Sequence, residues 1–425
     1  MKIRNIHITP VAVPDPPLLN AAGLHAPYAL RLIVEIVSAD GISGWGEIPG
    51  SEAARAALET AAERLIGMDP WRLNAIDCAL ELLARPDARG ATPWDQRTWV
   101  HVRSAIEVAC YDLVGKSVGR PVVDLLGGAV RQRVPFAAYL FYKYEGAGGE
   151  LGFGVDAAAS GWAAARQRAA LDPDGVVAQA QAMIARYGFQ SIKLKGGVFE
   201  PGAEVDAILA LREAFGPDMP LRLDPNAIWR VDTAIAAGRL LEGVLEYYED
   251  PVRGQENMAA VARALKIPLA TNMCTTSFDD LPGSVANQSE AIILSDHHFW
   301  GGFRASLDLA RFCAAFGRGL SMHSNSHLGI SLAAMAHLAA ATPNLTYDCD
   351  THYPWQDGHD LLATPLKFEA GALELPGAPG LGIDVNRDKL AQMRALYLDC
   401  GLTERDDETE MQKVAPGWRF QATRW

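Results

Sequence analysis

Six chemically loaded residues recur along this chain at nearly even intervals, each at the end of a short apolar run. They are Lys195, Asp224, Glu249, Asn272, Asp296 and His323, spaced 29, 25, 23, 24 and 27 residues apart. The runs that carry them are SIKLKGG (191–197), PLRLDPN (220–226), LEYYEDP (245–251), IPLATNM (267–273), AIILSD (291–296) and RGLSMHS (318–324). Between them lie helix-like stretches such as VDTAIAAGRLLEG (231–243) and FRASLDLARFCAAFG (303–317). Short strands alternating with helices predict a parallel sheet joined by right-handed crossovers, either a barrel or a doubly wound sheet. One polar residue per unit, always at the same strand end, is how a barrel builds a site at its C-terminal face. A doubly wound sheet concentrates its site at one switch point and usually shows a Gly-rich phosphate loop. No GxGxxG or P-loop follows an early strand here. The pattern predicts a barrel.

The first part of the chain has a different texture. Arg31 to Val37 is β-rich, Asp40-Gly41 makes a turn, and Gly44 to Ile48 returns as a second strand. Ser51 then opens an Ala-rich helix that ends at a glycine, and a second helical pattern runs from about Thr98 to Gly115. This predicts an N-terminal α+β domain over residues 1–130, a barrel over 131–390, and a C-terminal segment, 391–425, that packs back on the first domain. At 425 residues the chain exceeds one ordinary core. It contains no apolar run long enough to cross a bilayer, and its first residues lack a signal-peptide pattern, which predicts a cytoplasmic protein with no membrane partner. The six cysteines form no CxxC pair, so free thiols are expected. A net charge of −13 argues against a basic surface for nucleic acid. It suits an anionic substrate only if a metal ion and a few Lys or Arg residues reverse the sign locally.

The residue types narrow the chemistry. Asp224, Glu249 and Asn272 are three oxygen donors from three successive strands, which suits Mg²⁺. Each alone could equally cap a helix; three in register favour a metal. Lys193 and Lys195 share a strand face. Like charge and the nearby cation should depress their pKa values and make a basic amine available near neutral pH. The alternative is an exposed edge strand with solvated lysines. His323 follows Asp296 by one unit, so the carboxylate can orient the imidazole as a dyad. The lysine strand comes early and the histidine strand late, which lets them face one another across a closed barrel. A solitary His323 would instead read as a hydrogen-bonded core histidine.

This set resembles the enolase superfamily, in which a Lys or His base works with Mg²⁺ on an enediolate. The segments KLKGG, LDPNA, EDP, DHHFWGG and MHSNSHLGIS are similar to those of its glucarate dehydratase subgroup. So are NAAGLHAP (20–27), QRTWVHV (96–102), YLFY (139–142), DTHYPWQDG (350–358), PGLGI (379–383) and GLTERDD (401–407). The resemblance covers nearly the whole chain. It implies a (β/α)7β modified TIM barrel with an N-terminal α+β capping domain. It implies Mg²⁺ on Asp224, Glu249 and Asn272, and Lys195 and His323 as opposed acid/base groups. Lys193 would polarise the substrate carboxylate, Asp296 would orient His323, and Asn325 would be a polar group of the site. Asn20, His25, Thr98, Tyr139, Phe141, His352 and Arg405 would line the distal pocket, with a lid loop at about 18–28. The implied substrate is a small diacid sugar and the implied assembly a homo-oligomer. The segment after Asn272 (CTTSFDD) and the loop from Tyr144 to about Ala170 depart from the subgroup's pattern and bear on the preferred stereoisomer.

The reaction these expectations describe is removal of a proton α to a carboxylate and loss of a β-hydroxyl, most simply on D-glucarate with epimerisation to L-idarate as a side reaction. Two readings compete with it: a dehydratase of another aldarate such as galactarate or idarate, and a weakly active or non-catalytic relative that acts as partner of a true dehydratase.

Overall fold

The computed structural model describes residues 1–25, 27–85, 97–356 and 358–425. Ala26, Gln96 and Asp357, which belong to three of the resembling segments, lie outside the described residues.

The N-terminal sheet is antiparallel, built from Ile3–Pro14, Tyr28–Ser38 and Ser43–Pro49, with Tyr28–Ser38 in the centre. Gly41 takes a φ of +81° in the tight turn that joins the last two, a conformation glycine adopts without steric cost. Ser51 caps the helix Glu52–Leu65 by accepting a hydrogen bond from Ala54 N at 3.1 Å. The helix Thr98–Val118 ends at Gly119, which turns left-handed. Leu32, Val34 and Ile36 of the central strand pack with Leu58, Leu65, Ile106 and Leu113 of these two helices. That strand also carries two buried charges, Arg31 and Glu35. Such charges are rare inside a core and need partners.

The second sheet has seven parallel strands in sequence order: Ala138–Phe141, Ile192–Lys195, Leu221–Asp224, Tyr247–Glu249, Leu269–Thr271, Ile292–Ser295 and Gly319–Met322. Their interiors are buried, as expected for strands covered on both faces. The sheet curls until the segment 346–350 bridges its edges. Thr346 N and Tyr347 N donate to Leu320 O, Asp350 N donates to Met322 O, and Ala137 N donates to Cys349 O on the far side. Lys195, Asp224 and Glu249 are the last residues of their strands, while Asn272, Asp296 and His323 immediately follow theirs. All six therefore stand at the C-terminal mouth. The architecture is a TIM-like barrel of parallel strands with an N-terminal capping domain.

Two further elements meet the cap. The helix Arg387–Cys400, which spans the expected boundary at 390, lies against Ile3–Pro14. The helix Asp407–Val414 packs on a small hairpin, Leu18–Asn20 with Gly23–His25. That hairpin also joins the barrel, because Leu19 N donates to Tyr142 O and Tyr144 N donates to Pro17 O. None of the six cysteines is disulfide-bonded. Among the described residues, no helix is long and apolar enough to cross a membrane.

Candidate active site

Lys193 and Lys195 point the same way from the second barrel strand into a ring of acids. Lys195 Nζ donates to Asp224 Oδ2 at 2.7 Å. Lys193 is fully buried, with Nζ 2.6 Å from Asp350 Oδ2, 2.6 Å from Glu249 Oε2 and 3.6 Å from Asp224 Oδ2. Among protein groups alone, the balance at Lys193 runs opposite to the depression expected beside a cation. Burial works against its charge, but Asp350, Glu249, Tyr139 and Asp224 outweigh burial and hold it well above the usual lysine range. The carboxylates that set this balance lie across the barrel and are not marked by the local K-x-K pattern.

The acids respond in opposite directions. Burial alone would raise Asp224, but Lys195 and Lys193 outweigh it and keep its carboxyl below the usual range. Glu249 is pushed well above that range, by burial first and then by the charge of Asp224. Glu249 Oε1 and Asn272 Oδ1 are buried without a hydrogen-bond partner among the described residues. Each such orphan costs about 1–3 kcal/mol unless a ligand satisfies it. Asp250 holds the loop that carries Asn272: its carboxylate accepts from Asn272 N at 2.9 Å, Met273 N at 3.1 Å and Thr271 Oγ1 at 2.5 Å. Asp224, Glu249 and Asn272 thus offer hard oxygen donors, two of them unsatisfied, beside concentrated negative charge. This donor set fits a divalent cation of the magnesium type.

Across the mouth, His323 Nδ1 lies 3.0 Å from Asp296 Oδ2. Asp296 is shared: it also accepts from His298 N at 2.8 Å and sits 2.9 Å from His298 Nδ1. These imidazoles outweigh burial and hold its carboxyl well below the usual range. His323 is shifted down from the ordinary histidine value. Burial dominates, Asp296 opposes it, and Lys193 and Lys195 push the same way as burial.

A cavity of about 320 Å³ separates cap from barrel. It is bordered by Lys195, His323 and Asn325, and also by Asn20, His25, Thr98, Tyr139, Phe141, His352 and Arg405. Asp224, Glu249, Asp296 and Lys193 lie behind this wall. Asn272 borders a small adjoining cavity together with Asp296 and His323. Several wall residues are held by partners that local sequence does not reveal. Asn20 Nδ2 donates to Asp407 Oδ2 at 2.6 Å. Arg405 grips the same carboxylate through Nε and Nη2 at 2.6 and 2.5 Å. His25 Nδ1 lies 2.9 Å from Asp15 Oδ2. Tyr139, Phe141 and His352 pack as one aromatic group, with centroids 4.7–5.1 Å apart.

Sequence reading missed Asp350, Asp250, Arg31 and Glu47. Asp350 had a usable signal, since it follows His323 by 27 residues and so continues the spacing. Arg31 and Glu47 showed only as charges inside apolar strand runs.

Residues 175–389 match the enolase C-terminal domain-like family, and residues 4–127 match the mandelate racemase / muconate lactonizing enzyme N-terminal domain. The chain belongs to the enolase superfamily. Within that superfamily it is 44% identical to a probable glucarate dehydratase of Streptomyces coelicolor, over 98% of this chain and 97% of the relative. An enolase from Thermobispora bispora, solved with magnesium and formate, superposes with a TM-score of 0.91 at 51% identity, covering 99% of both chains. One from Pseudomonas fluorescens, with bound magnesium, potassium and tartrate, gives 0.91 at 45% identity over 99% and 98% of the two chains. Enolase-superfamily membership makes the chain an enzyme of this group.

Proposed function

We propose that the chain is a Mg²⁺-dependent acid-sugar dehydratase that converts D-glucarate to 5-keto-4-deoxyglucarate. The observation that carries this reading is one cavity bordered by both Lys195 and His323, with Asp296 behind it on His323 Nδ1 and two unsatisfied buried oxygens nearby. The relative from Streptomyces coelicolor and the magnesium in the related structures support it.

Asp224, Glu249 and Asn272 are the residues that would hold the ion. Bound there, it supplies Lewis-acid charge beside the substrate carboxylate, whose α-proton is otherwise only weakly acidic. Lys193, kept cationic by the acids around it, adds positive charge where the enediolate develops. Asp296 engages His323 Nδ1, which leaves Nε2 to exchange protons with substrate. His323 takes the α-proton of one configuration and Lys195 that of the other. The C–H electron pair forms the enediolate. When His323 is the base, the β C–O bond then breaks and the same imidazolium returns its proton to the departing hydroxyl, which leaves as water. The enol product becomes the keto acid by tautomerisation. Two opposed bases also account for epimerisation to L-idarate. Arg405 and His25 face the distal end of a diacid, each braced by its own carboxylate, and the hairpin Leu18–His25 covers the mouth and excludes water.

The test is keto-acid formation from a panel of aldarates and aldonates, with and without Mg²⁺. Mg²⁺-dependent turnover of D-glucarate is the expected result. Turnover of galactarate or idarate alone would correct the stereoisomer. Silence across the panel from folded, metal-bound protein would overturn the dehydratase reading.

A further inference from the structure

Arg31 belongs to the capping sheet, yet its guanidinium reaches the barrel. Nε donates to Glu47 Oε1 at 2.8 Å, and Nη1 donates to Asn325 Oδ1 at 3.0 Å. Glu47 is itself fixed to the barrel: its oxygens accept from Leu328 N at 2.7 Å and Ser331 N at 2.9 Å, at the start of the helix Gly329–Ala341. Arg31 and Asn325 both border the substrate cavity.

An asparagine amide is nearly symmetric in shape, so its neighbours decide which end is which. A guanidinium only donates. Facing Arg31, Asn325 must present Oδ1, and Nδ2 is then turned away. Nδ2 is buried and has no hydrogen-bond partner among the described residues. We propose that Arg31 is a positioning residue that holds Asn325 with its NH₂ toward the cavity, making this wall a donor-only contact for a substrate hydroxyl or carboxylate oxygen. The inference rests on the acid-sugar reading above and deepens it. It assigns the specificity of this wall to a charge carried by the cap, so the contact is complete only when cap and barrel are docked.

Three variants test it: Arg31→Lys, Asn325→Ala and the double variant. An Arg31→Lys exchange keeps a charge beside Glu47 but gives up the fork that spans two acceptors. The readouts are KM and kcat for D-glucarate with Mg²⁺, with thermal unfolding as the control for folding. Each single variant should raise KM roughly tenfold or more with a smaller change in kcat, as expected for loss of an interaction made equally in ground and transition states. The double variant should be no worse than Asn325→Ala alone, because the two residues act as one. Asn325→Asp supplies a second check that does not depend on Arg31 variants folding. It preserves the contact with Arg31 and therefore the unfolding temperature, but it puts an oxygen where the donor stood, so KM should rise at least as far as in Asn325→Ala. Independent, additive effects of Arg31→Lys and Asn325→Ala, or an unchanged KM in Asn325→Asp, would overturn the proposal while leaving the dehydratase reading intact. An inactive wild type would overturn that reading itself, and this inference with it.

Discussion

At the residue scale, function turns on pairs rather than single groups. His323 is useful because Asp296 holds one nitrogen and burial lowers its pKa below the ordinary value. The sign follows directly. In the proposed mechanism the neutral imidazole is the base, and a lowered pKa keeps it neutral further into acid. For the configuration that His323 deprotonates, kcat/KM should stay level below pH 6.5, the ordinary histidine value, and fall only at more acidic pH. A pH–rate profile checks this, and a limb that falls already above pH 6.5 would contradict it. His323→Asn should cut kcat by roughly 10³-fold, within the usual range for a lost general base. Circular dichroism should be unchanged, because the imidazole's hydrogen bond among the described residues goes to the Asp296 side chain and holds no backbone group. Lys195, Asp224, Glu249 and His323 were legible from sequence because each ends a strand or follows one by a single residue. What they face was not. Lys193 meets Asp350 across 157 residues of chain, and no local pattern encodes that encounter.

At the element scale, strand and helix periods were readable, and the connections between cap and barrel were not. Glu47 lies in the last half of the capping strand Ser43–Pro49 and serves as N-terminal acceptor for a barrel helix, while also pairing Arg31. Glu47→Ala would leave two backbone N–H groups without acceptors and a buried guanidinium without its counter-charge. The expected loss is about 3 kcal/mol of stability, measurable by urea unfolding. A loss under a few tenths of that would show the site relaxes with water. Gly23 sits at the turn of the hairpin that covers the cavity, with φ +132°. A Cβ there would lie 2.2 Å from the Asp407 carbonyl oxygen. Gly23→Ala should lift the hairpin from the helix Asp407–Val414, raising KM severalfold and exposing the hairpin to limited proteolysis. Unaltered kinetics and cleavage would show that the hairpin does not depend on this close approach.

At the scale of the whole molecule, the site draws on the cap, the barrel and the C-terminal segment together. Chelating the metal should abolish turnover and leave the fold standing, since the barrel core does not depend on the acid ring. Adding Mg²⁺ at about 100 times its Kd should stabilise the protein by about 2.7 kcal/mol, seen as a rise in Tm; no rise would argue against a preformed ion site. The sequence by itself determined the βα rhythm and the polar residues that the strand ends bring to the mouth of the barrel. These follow from local rules, because a strand's length and its last residue are set within a few positions. Only the tertiary structure decided which charges meet. Arg31 reaches Asn325 across 294 residues and Asn20 reaches Asp407 across 387. Such contacts depend on how the ends of the chain are brought over the barrel, and sequence spacing carries no information about distances of that kind.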